Sequence, residues 1–126
     1  MAHILVVDDD PSVNGLIALL LKFEGHDVRQ AHDGKTALRM AHESVPDLIL
    51  LDVGMPKMSG YQVACSLYES ATTKRIPIIF VSAHDKNDDL DDETSMPPII
   101  GYLRKPFEIQ NLIQIVRNGL ASSGDT

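Results

Sequence analysis

Four short apolar runs in this sequence each lead into residues that can bind a phosphate or a divalent metal. The residues that follow the runs are Asp8, Asp9 and Asp10, then Asp52, Ser82 and Lys105. If the runs are neighbouring parallel strands, their carboxyl ends meet at one edge of a sheet, where open parallel sheets bind their ligands. The sequence therefore predicts a shallow cleft that gathers carboxylates, a hydroxyl and an ammonium group.

Carboxylates at three of these positions indicate a magnesium site. Asp8, Asp9 and Asp52 would repel one another at close range unless a cation compensates. Mg²⁺ suits such a site because it binds one or two carboxylates, a carbonyl oxygen and several waters. The alternative is that Asp8 to Asp10 only cap a helix and interact with solvent. The matching positions of Asp52 and Lys105 favour the metal site.

Lys105 and Ser82 complete the predicted cleft. The ammonium group of Lys105 can pair with Asp52 when that carboxylate is free, and with a phosphoryl oxygen when it is modified. The Ser82 hydroxyl can donate a hydrogen bond to another phosphoryl oxygen. Taken alone, Ser82 would be read as a strand-ending hydroxyl bonded to the backbone, so its place in the cleft depends on the other residues.

The apolar runs alternate with segments of helical periodicity, which indicates a doubly wound α/β fold. The predicted strands cover residues 4–7, 27–31, 47–51, 77–81 and 99–103. A first helix is expected to start at Pro11, after an N-cap at Asp10, and to end at Gly25. Further helices are expected at residues 35–43, 61–70 and 108–118, with Gly119 as the stop of the last one.

One segment fits this alternation poorly. Residues 85–93 are almost wholly acidic, and Leu90 is their only large apolar residue. A helix there would have little surface to bury against the sheet, so we expect it to be short, loosely held or partly irregular.

The bulk properties limit the classes of protein to consider. The 126 residues allow one domain, expected at residues 1–120 and followed by a flexible polar tail at 121–126. The formal net charge of −7 argues against direct nucleic-acid binding, which needs clustered Lys and Arg. No apolar stretch approaches the roughly 20 residues that span a bilayer. The single cysteine, Cys65, and the lack of an export signal predict a cytoplasmic location.

Four segments resemble the receiver domain of bacterial two-component response regulators. The segments are residues 4–10, residues 52–60 with Asp52-Val53-Gly54-Met55-Pro56, Ser82-Ala83, and Lys105-Pro106-Phe107. They span nearly the whole chain, in the family's order and at suitable spacing. The resemblance implies a (βα)5 flavodoxin-like fold with a five-stranded parallel sheet in the order 2-1-3-4-5. It also implies a signalling switch. Such a domain is not an enzyme, because it catalyses only its own phosphorylation and dephosphorylation.

The resemblance implies which residues accept the phosphoryl group and bind the metal. Asp52 would accept the group from the phosphohistidine of a sensor histidine kinase or a phosphotransfer protein. Asp9 would bind Mg²⁺ directly and Asp8 would assist, largely through water. Asp52 and the backbone carbonyl of Gly54 would be further ligands.

The remaining implied roles concern the phosphorylated state. Lys105 and Ser82 would hold the phosphoryl oxygens, and Ser82 would move towards them. Tyr102 occupies the position of the family's switch aromatic, which turns inward when the hydroxyl residue moves. In the family the Lys105-Pro106 peptide bond is cis. The changed surface would be read by a downstream effector protein or by a fused output domain that is missing here.

Two other functions remain open at this point. A pseudo-receiver, which has the same fold but takes no phosphate, would act as a protein interaction module; it would be favoured if Asp52 or Lys105 were replaced, and both are present. A Mg²⁺-dependent phosphatase or phosphotransferase could also form an aspartyl phosphate. Such enzymes usually carry Asp-x-Asp at the nucleophile and a cap domain, whereas this chain has Asp52-Val53-Gly54 and little room for a cap.

Overall fold

A computed structural model describes residues 2–83 and 99–124 of the chain. Its five strands form one sheet in which every neighbouring pair is parallel, in the order β2-β1-β3-β4-β5. The strands are β1 (His3–Val7), β2 (Asp27–Ala31), β3 (Leu48–Asp52), β4 (Ile78–Ser82) and β5 (Ile99–Arg104). The predicted α/β class and strand order are confirmed.

Four helices connect or follow these strands in the described ranges. They are α1 (Pro11–Phe23), α2 (Gly34–Glu43), α3 (Gly60–Tyr68) and α4 (Ile109–Gly124). None of these helices combines the length and the apolar character that a membrane span requires. The acidic segment at residues 85–93, with its expected irregular helix, lies outside the described residues.

The sheet is covered on both faces because the strands alternate apolar side chains between two cores. Leu5 and Val7 of β1 belong to one core, together with apolar residues of α2 and α3. Ile4 and Val6 belong to the other core, which contains apolar residues of α1 and α4. The two helical layers leave the carboxyl edge of the sheet to the loops, and this is where parallel sheets of this type bind ligands.

The ends of α1 follow the sequence prediction. The Asp10 side chain accepts a hydrogen bond from the Ser12 backbone N–H at 2.9 Å, and Pro11 is the first helical residue. Beyond the other end, Gly25 has a φ of +93°, a conformation that glycine adopts without the steric cost paid by other residues. Together these signals determine where α1 begins and where it ends.

The predicted end of the last helix is wrong. Helix α4 continues through Gly119 to Gly124, so residues 121–124, expected in a flexible tail, are helical. Gly119 faces β5, and a Cβ atom there would lie 2.7 Å from Cδ1 of Ile100. The glycine therefore allows close packing of helix and strand instead of stopping the helix. Residues 125 and 126 lie outside the described residues.

Candidate functional site

Three carboxylates converge at the carboxyl edge of the sheet. Val7 and Leu51 are register partners in the paired strands β1 and β3, so Asp8 and Asp52, which follow them, lie side by side. One oxygen from each of Asp8, Asp9 and Asp52 can be chosen so that all lie within 4.8 Å of one another. Asp8 and Asp52 are buried and Asp9 is exposed. The sequence predicted this convergence, and the structure confirms it.

Lys105 supplies the cation that pairs with two of these carboxylates. Its Nζ lies 3.0 Å from Oδ2 of Asp8 and 3.3 Å from Oδ1 of Asp52. The sequence predicted the contact with Asp52 but not the closer one with Asp8. The backbone N–H of Lys105 donates to the Ser82 carbonyl at 2.8 Å, which fixes the lysine beside the end of β4. The Lys105-Pro106 peptide bond is cis, as the family resemblance implies.

The ionisation of Asp52 and Lys105 reflects this crowding. Burial and the nearby charge of Asp8 raise the pKa of Asp52, and the opposing attraction of Lys105 does not cancel these effects. Burial by itself would lower the pKa of Lys105, but its hydrogen bond to Asp8 and the charge of Asp52 outweigh this and raise it. The site therefore holds more negative charge than its lysine balances.

We expect the metal-free protein to lose stability as pH rises because of Asp52. A raised pKa means that Asp52 binds its proton more tightly in the folded state than in the unfolded state. The contribution of Asp52 to the free energy of unfolding is therefore greatest at low pH, and it falls as pH rises from the unfolded pKa through the folded pKa. Asp52→Asn removes the cost of burying the ionised carboxylate. We expect it to raise Tm by a few degrees at pH 7 in EDTA, but hardly at all below pH 3.8, the pKa of Asp52 in the unfolded chain. Thermal unfolding followed by circular dichroism across pH measures the difference.

Glu69→Gln is the matched control because it removes an exposed carboxylate far from the cluster. It should produce no comparable pH-dependent gain. A Tm gain of Asp52→Asn that is the same at pH 3.5 and pH 7 would contradict the expectation.

A buried amide that the sequence analysis missed anchors the Asp8 turn. Nδ2 of Asn14 donates to the carbonyl oxygens of Asp8 at 3.0 Å and of Ala31 at 2.9 Å, and the Asn14 side chain is fully buried. Gln30 donates in turn to Oδ1 of Asn14 at 2.8 Å. These bonds tie the ends of β1 and β2 to α1. The sequence did contain one signal for this role: Asn14 lies one turn before Ala18, so it is a polar residue on the otherwise apolar inner face of α1.

Hydrogen bonds within the turn also orient the acidic residues. Oδ1 of Asp8 accepts from the Asp10 backbone N–H at 2.9 Å, and the Asp8 backbone N–H donates to the Ala31 carbonyl at 3.1 Å. One oxygen of Asp8 thus contacts the backbone and the other contacts Lys105. The buried carboxylate is held in one orientation, whereas Asp9 beside it remains exposed.

The other predicted residues lie around the same edge. Ser82 ends β4 and is half-buried, and Gly54 donates its N–H to Oδ1 of Asp52 at 3.3 Å. Tyr102 lies on β5 opposite Phe80 of β4, with ring centroids 5.7 Å apart. Their placement agrees with the prediction of one shared edge, while their individual roles stay predictions.

The loop from β3 to α3 packs tightly beneath Asp52. The Gly60 N–H donates to the Val53 carbonyl at 3.0 Å, and a Cβ at Gly60 would lie only 2.5 Å from the backbone oxygen of Asp52. Ser59 caps α3 through a reciprocal pair of hydrogen bonds with Gln62. The first turn of α3 is therefore placed directly against the peptide that carries the Asp52 side chain.

Comparison with known proteins identifies the class to which this fold and site belong. Residues 4–117 match the model of the response regulator receiver domain family, and the chain belongs to this family. Receiver domains are signalling domains of two-component systems that interact with histidine kinases and output effectors, and they are not enzymes in the usual sense.

Two relatives illustrate the range of sizes. The DNA-binding dual master transcriptional regulator RpaA of Synechocystis is 35% identical over 121 residues, which cover 93% of this chain and 48% of RpaA. The chain thus spans about half the length of that relative. Protein PilH of Pseudomonas aeruginosa is 32% identical over 121 residues, covering 96% of this chain and 99% of PilH.

A similar solved structure contains a metal ion. The receiver domain of sensor histidine kinase PA1611 from Pseudomonas aeruginosa, with a magnesium ion coordinated in its active site cleft, superposes with a TM-score of 0.84 and 28% identity. The match covers 95% of this chain and 98% of that one.

Proposed function

We propose that this chain is a phosphorylation-dependent signalling switch, in which Asp52 accepts a phosphoryl group from a phosphohistidine in a Mg²⁺-dependent reaction. The observation that carries the proposal is the cluster of Asp8, Asp9 and Asp52, in which Lys105 pairs with Asp8 and Asp52. Burying the carboxylates of Asp8 and Asp52 with only one cation between them is unfavourable for folding alone, so their presence points to a functional requirement.

The contacts of Asp52 suit it to act as the nucleophile. Both Lys105 and the Gly54 N–H contact Oδ1. Among the residues that the structure describes, the hydrogen bond to the Asp52 carboxylate goes to Oδ1 and none goes to Oδ2. One oxygen is therefore held by donors, and the second is left to attack phosphorus.

The donor set fits Mg²⁺. Asp9 offers an exposed carboxylate next to the buried oxygens of Asp52 and Asp8, and the backbone carbonyl of Gly54 follows Asp52 by two residues. Carboxylate and carbonyl oxygens with several waters form the coordination that Mg²⁺ prefers. When bound, the ion supplies positive charge that neutralises the phosphoryl oxygens and relieves the repulsion among the carboxylates.

The chemical step uses the Asp52 carboxylate as its nucleophile, with Lys105 and Ser82 as supporting groups. Oδ2 of Asp52 attacks phosphorus in line, the new O–P bond forms, and the P–N bond of the phosphohistidine breaks. The histidine nitrogen keeps the electron pair of the broken bond, and the ring leaves as a neutral imidazole because its other nitrogen carries a proton. Lys105 turns from the free carboxylate to a phosphoryl oxygen, and Ser82 donates its hydroxyl to another, so both stabilise the charge that the transfer brings.

Phosphorylation would then change the surface through β4 and β5. Phosphoaspartate carries more negative charge than aspartate, which favours movement of the Ser82 hydroxyl towards it. Tyr102 contacts Phe80, two residues before Ser82 on β4, so its ring is placed to respond to that movement. We propose that an effector protein, or an output domain outside this chain, reads the new position of Tyr102.

The partners follow from the same chemistry. We propose that a sensor histidine kinase or phosphotransfer protein supplies the phosphoryl group in the cytoplasm. The net charge of −7 supports protein partners over direct contact with nucleic acid. The second candidate, a pseudo-receiver, has no specific observation in its favour because every residue of the acceptor site is present.

Incubation with acetyl phosphate, with and without Mg²⁺, tests the proposal. We expect intact mass to show the gain of one phosphoryl group only when Mg²⁺ is present, and Asp52→Asn to abolish the gain. The reason is that the asparagine amide is a far weaker nucleophile than the carboxylate.

Asp47→Asn is the matched control, since Asp47 lies just before the same strand but at its opposite end. It should be phosphorylated like the parent protein. No uptake by the parent under any Mg²⁺ concentration would favour the pseudo-receiver, and rapid turnover of unrelated phosphate esters would favour a phosphatase.

A further inference from the structure

Helix α1 is apolar on its outer face as well as on the face that packs against the sheet. Its inner face buries Ile17, Ala18 and Leu21, whereas Leu16, Leu19 and Phe23 are 46%, 54% and 81% exposed. Lys22 is the only charged residue of this helix in a chain with 18 Asp and Glu residues. A helix that is apolar all round is normally covered on all sides, so the outer face of α1 is expected to have a partner.

The exposed residues form a regular line. Ser12, Leu16, Leu19 and Phe23 are separated by four, three and four residues, which at 3.6 residues per turn places them along one side of the helix. We call this line the outer seam. Its spacing is that of the a and d positions through which two helices pack knobs into holes, so the expected partner surface is another helix.

We propose that a second copy of this chain covers the outer seam, with the two α1 helices packed antiparallel about a two-fold axis. The seam is complementary to itself in this orientation. Leu16 of one copy faces Leu19 of the other, and the large Phe23 faces the small Ser12. A two-fold interface requires this reciprocity, which the order small, large, large, aromatic provides.

Charge complementarity supports the antiparallel orientation. The carboxyl-terminal turn of α1 carries the exposed Lys22, and the exposed carboxylates of Asp9 and Asp10 precede its first turn. Antiparallel packing brings the cationic end of each helix towards the acidic end of the other, and it opposes the two helix dipoles favourably. A parallel pair would instead place like charges together.

The size of the seam predicts a weak dimer. A helix of 13 residues is about 20 Å long, which is too short to bury the roughly 800 Å² per partner of a standard stable interface. We therefore expect a dimer that forms in the range from about 10 µM to about 1 mM. This inference does not depend on the proposed phosphorylation of Asp52.

Sedimentation velocity of the whole chain over that concentration range tests the inference. We expect the weight-average mass to rise towards the dimer, and Phe23→Glu to weaken association at least tenfold by placing a charge in the seam. Val45→Glu is the matched control because Val45 is 47% exposed and lies outside the seam. Circular dichroism of each variant checks that the fold is intact.

Disulfide cross-linking tests the orientation separately. In a Cys65→Ser background, a mixture of Ser12→Cys and Phe23→Cys proteins should cross-link faster than either protein alone, because only close Cβ atoms can form the bond.

Three outcomes would overturn the inference. The first is a monomer at every concentration, which would leave the seam to a different protein. The second is a dimer unaffected by Phe23→Glu, and the third is the absence of faster cross-linking in the mixture.

Discussion

Replacing Lys105 by methionine is expected to lower the free energy of unfolding by about 3 kcal/mol in metal-free solution. Methionine is close to lysine in length and apolar, so the stem of the side chain is preserved while the charge is lost. Asp8, whose side chain is 1% exposed, would lose the ammonium group 3.0 Å from Oδ2. A buried carboxylate without its cation is the most costly arrangement that a single substitution can create at this site.

The loss should appear as a fall in Tm of about 10 °C, measured by circular dichroism or calorimetry in EDTA. Added Mg²⁺ should recover more stability in the Lys105→Met variant than in the parent protein, because the variant has one more uncompensated negative charge. Uptake of phosphate from acetyl phosphate should fall by about 10²-fold, as when one donor to a developing oxyanion is removed.

Lys74→Met is the matched control for this substitution. Lys74 is exposed and lies over the ring of Tyr68, with Nζ 5.3 Å from its centroid, so its loss should cost no more than about 0.5–1 kcal/mol. If Lys105→Met and Lys74→Met lower Tm equally, then the pairing of Lys105 with Asp8 and Asp52 does not balance the site as described.

The fold and the carboxylate cluster could be predicted because their signals are local. A buried parallel strand is an apolar run, and the residue after the run must lie at the carboxyl edge of the sheet. Asp8, Asp9, Asp52 and Lys105 each follow or end such a run. To predict that these side chains converge, one therefore needed only the strand order, and the resemblance to receiver domains implied that order.

The residues that the sequence analysis missed depend on contacts between distant parts of the chain. Asn14 lies on the inner face of α1, and nothing near it in the sequence indicates that its amide spans the ends of β1 and β2. In the same way, the closer pairing of Lys105 with Asp8 than with Asp52 depends on side-chain geometry that strand order does not determine.

The error at Gly119 has the same origin. Glycine after a run of helical periodicity is a common stop signal. A glycine that packs against a neighbouring strand, in contrast, lets the helix approach the strand closely and continue. Only the position of Ile100 on β5 distinguishes the two. Glycines in this chain therefore have to be interpreted from what an added Cβ atom would meet.

That distinction leads to a prediction at Gly60. Gly60→Ala is expected to lower the free energy of unfolding by about 3 kcal/mol, at the upper end of the range for overpacking. The added Cβ would lie 2.5 Å from the backbone oxygen of Asp52 and 2.8 Å from Cα of Val53. These are backbone atoms in the sheet and its adjoining loop, so neither can move as freely as the end of a flexible side chain.

The same substitution should impair the proposed acceptor site, because the strain falls on the peptide that carries Asp52. We expect Mg²⁺ affinity, measured by isothermal titration calorimetry, and phosphate uptake to fall together with Tm. Gly15→Ala is the control of identical chemistry: a Cβ at Gly15 meets nothing within 4 Å, and helix propensity should raise stability by about 0.5–1 kcal/mol. Gly60→Ala at parental stability, or destabilised with unchanged Mg²⁺ affinity, would mean that the first turn of α3 does not position Asp52.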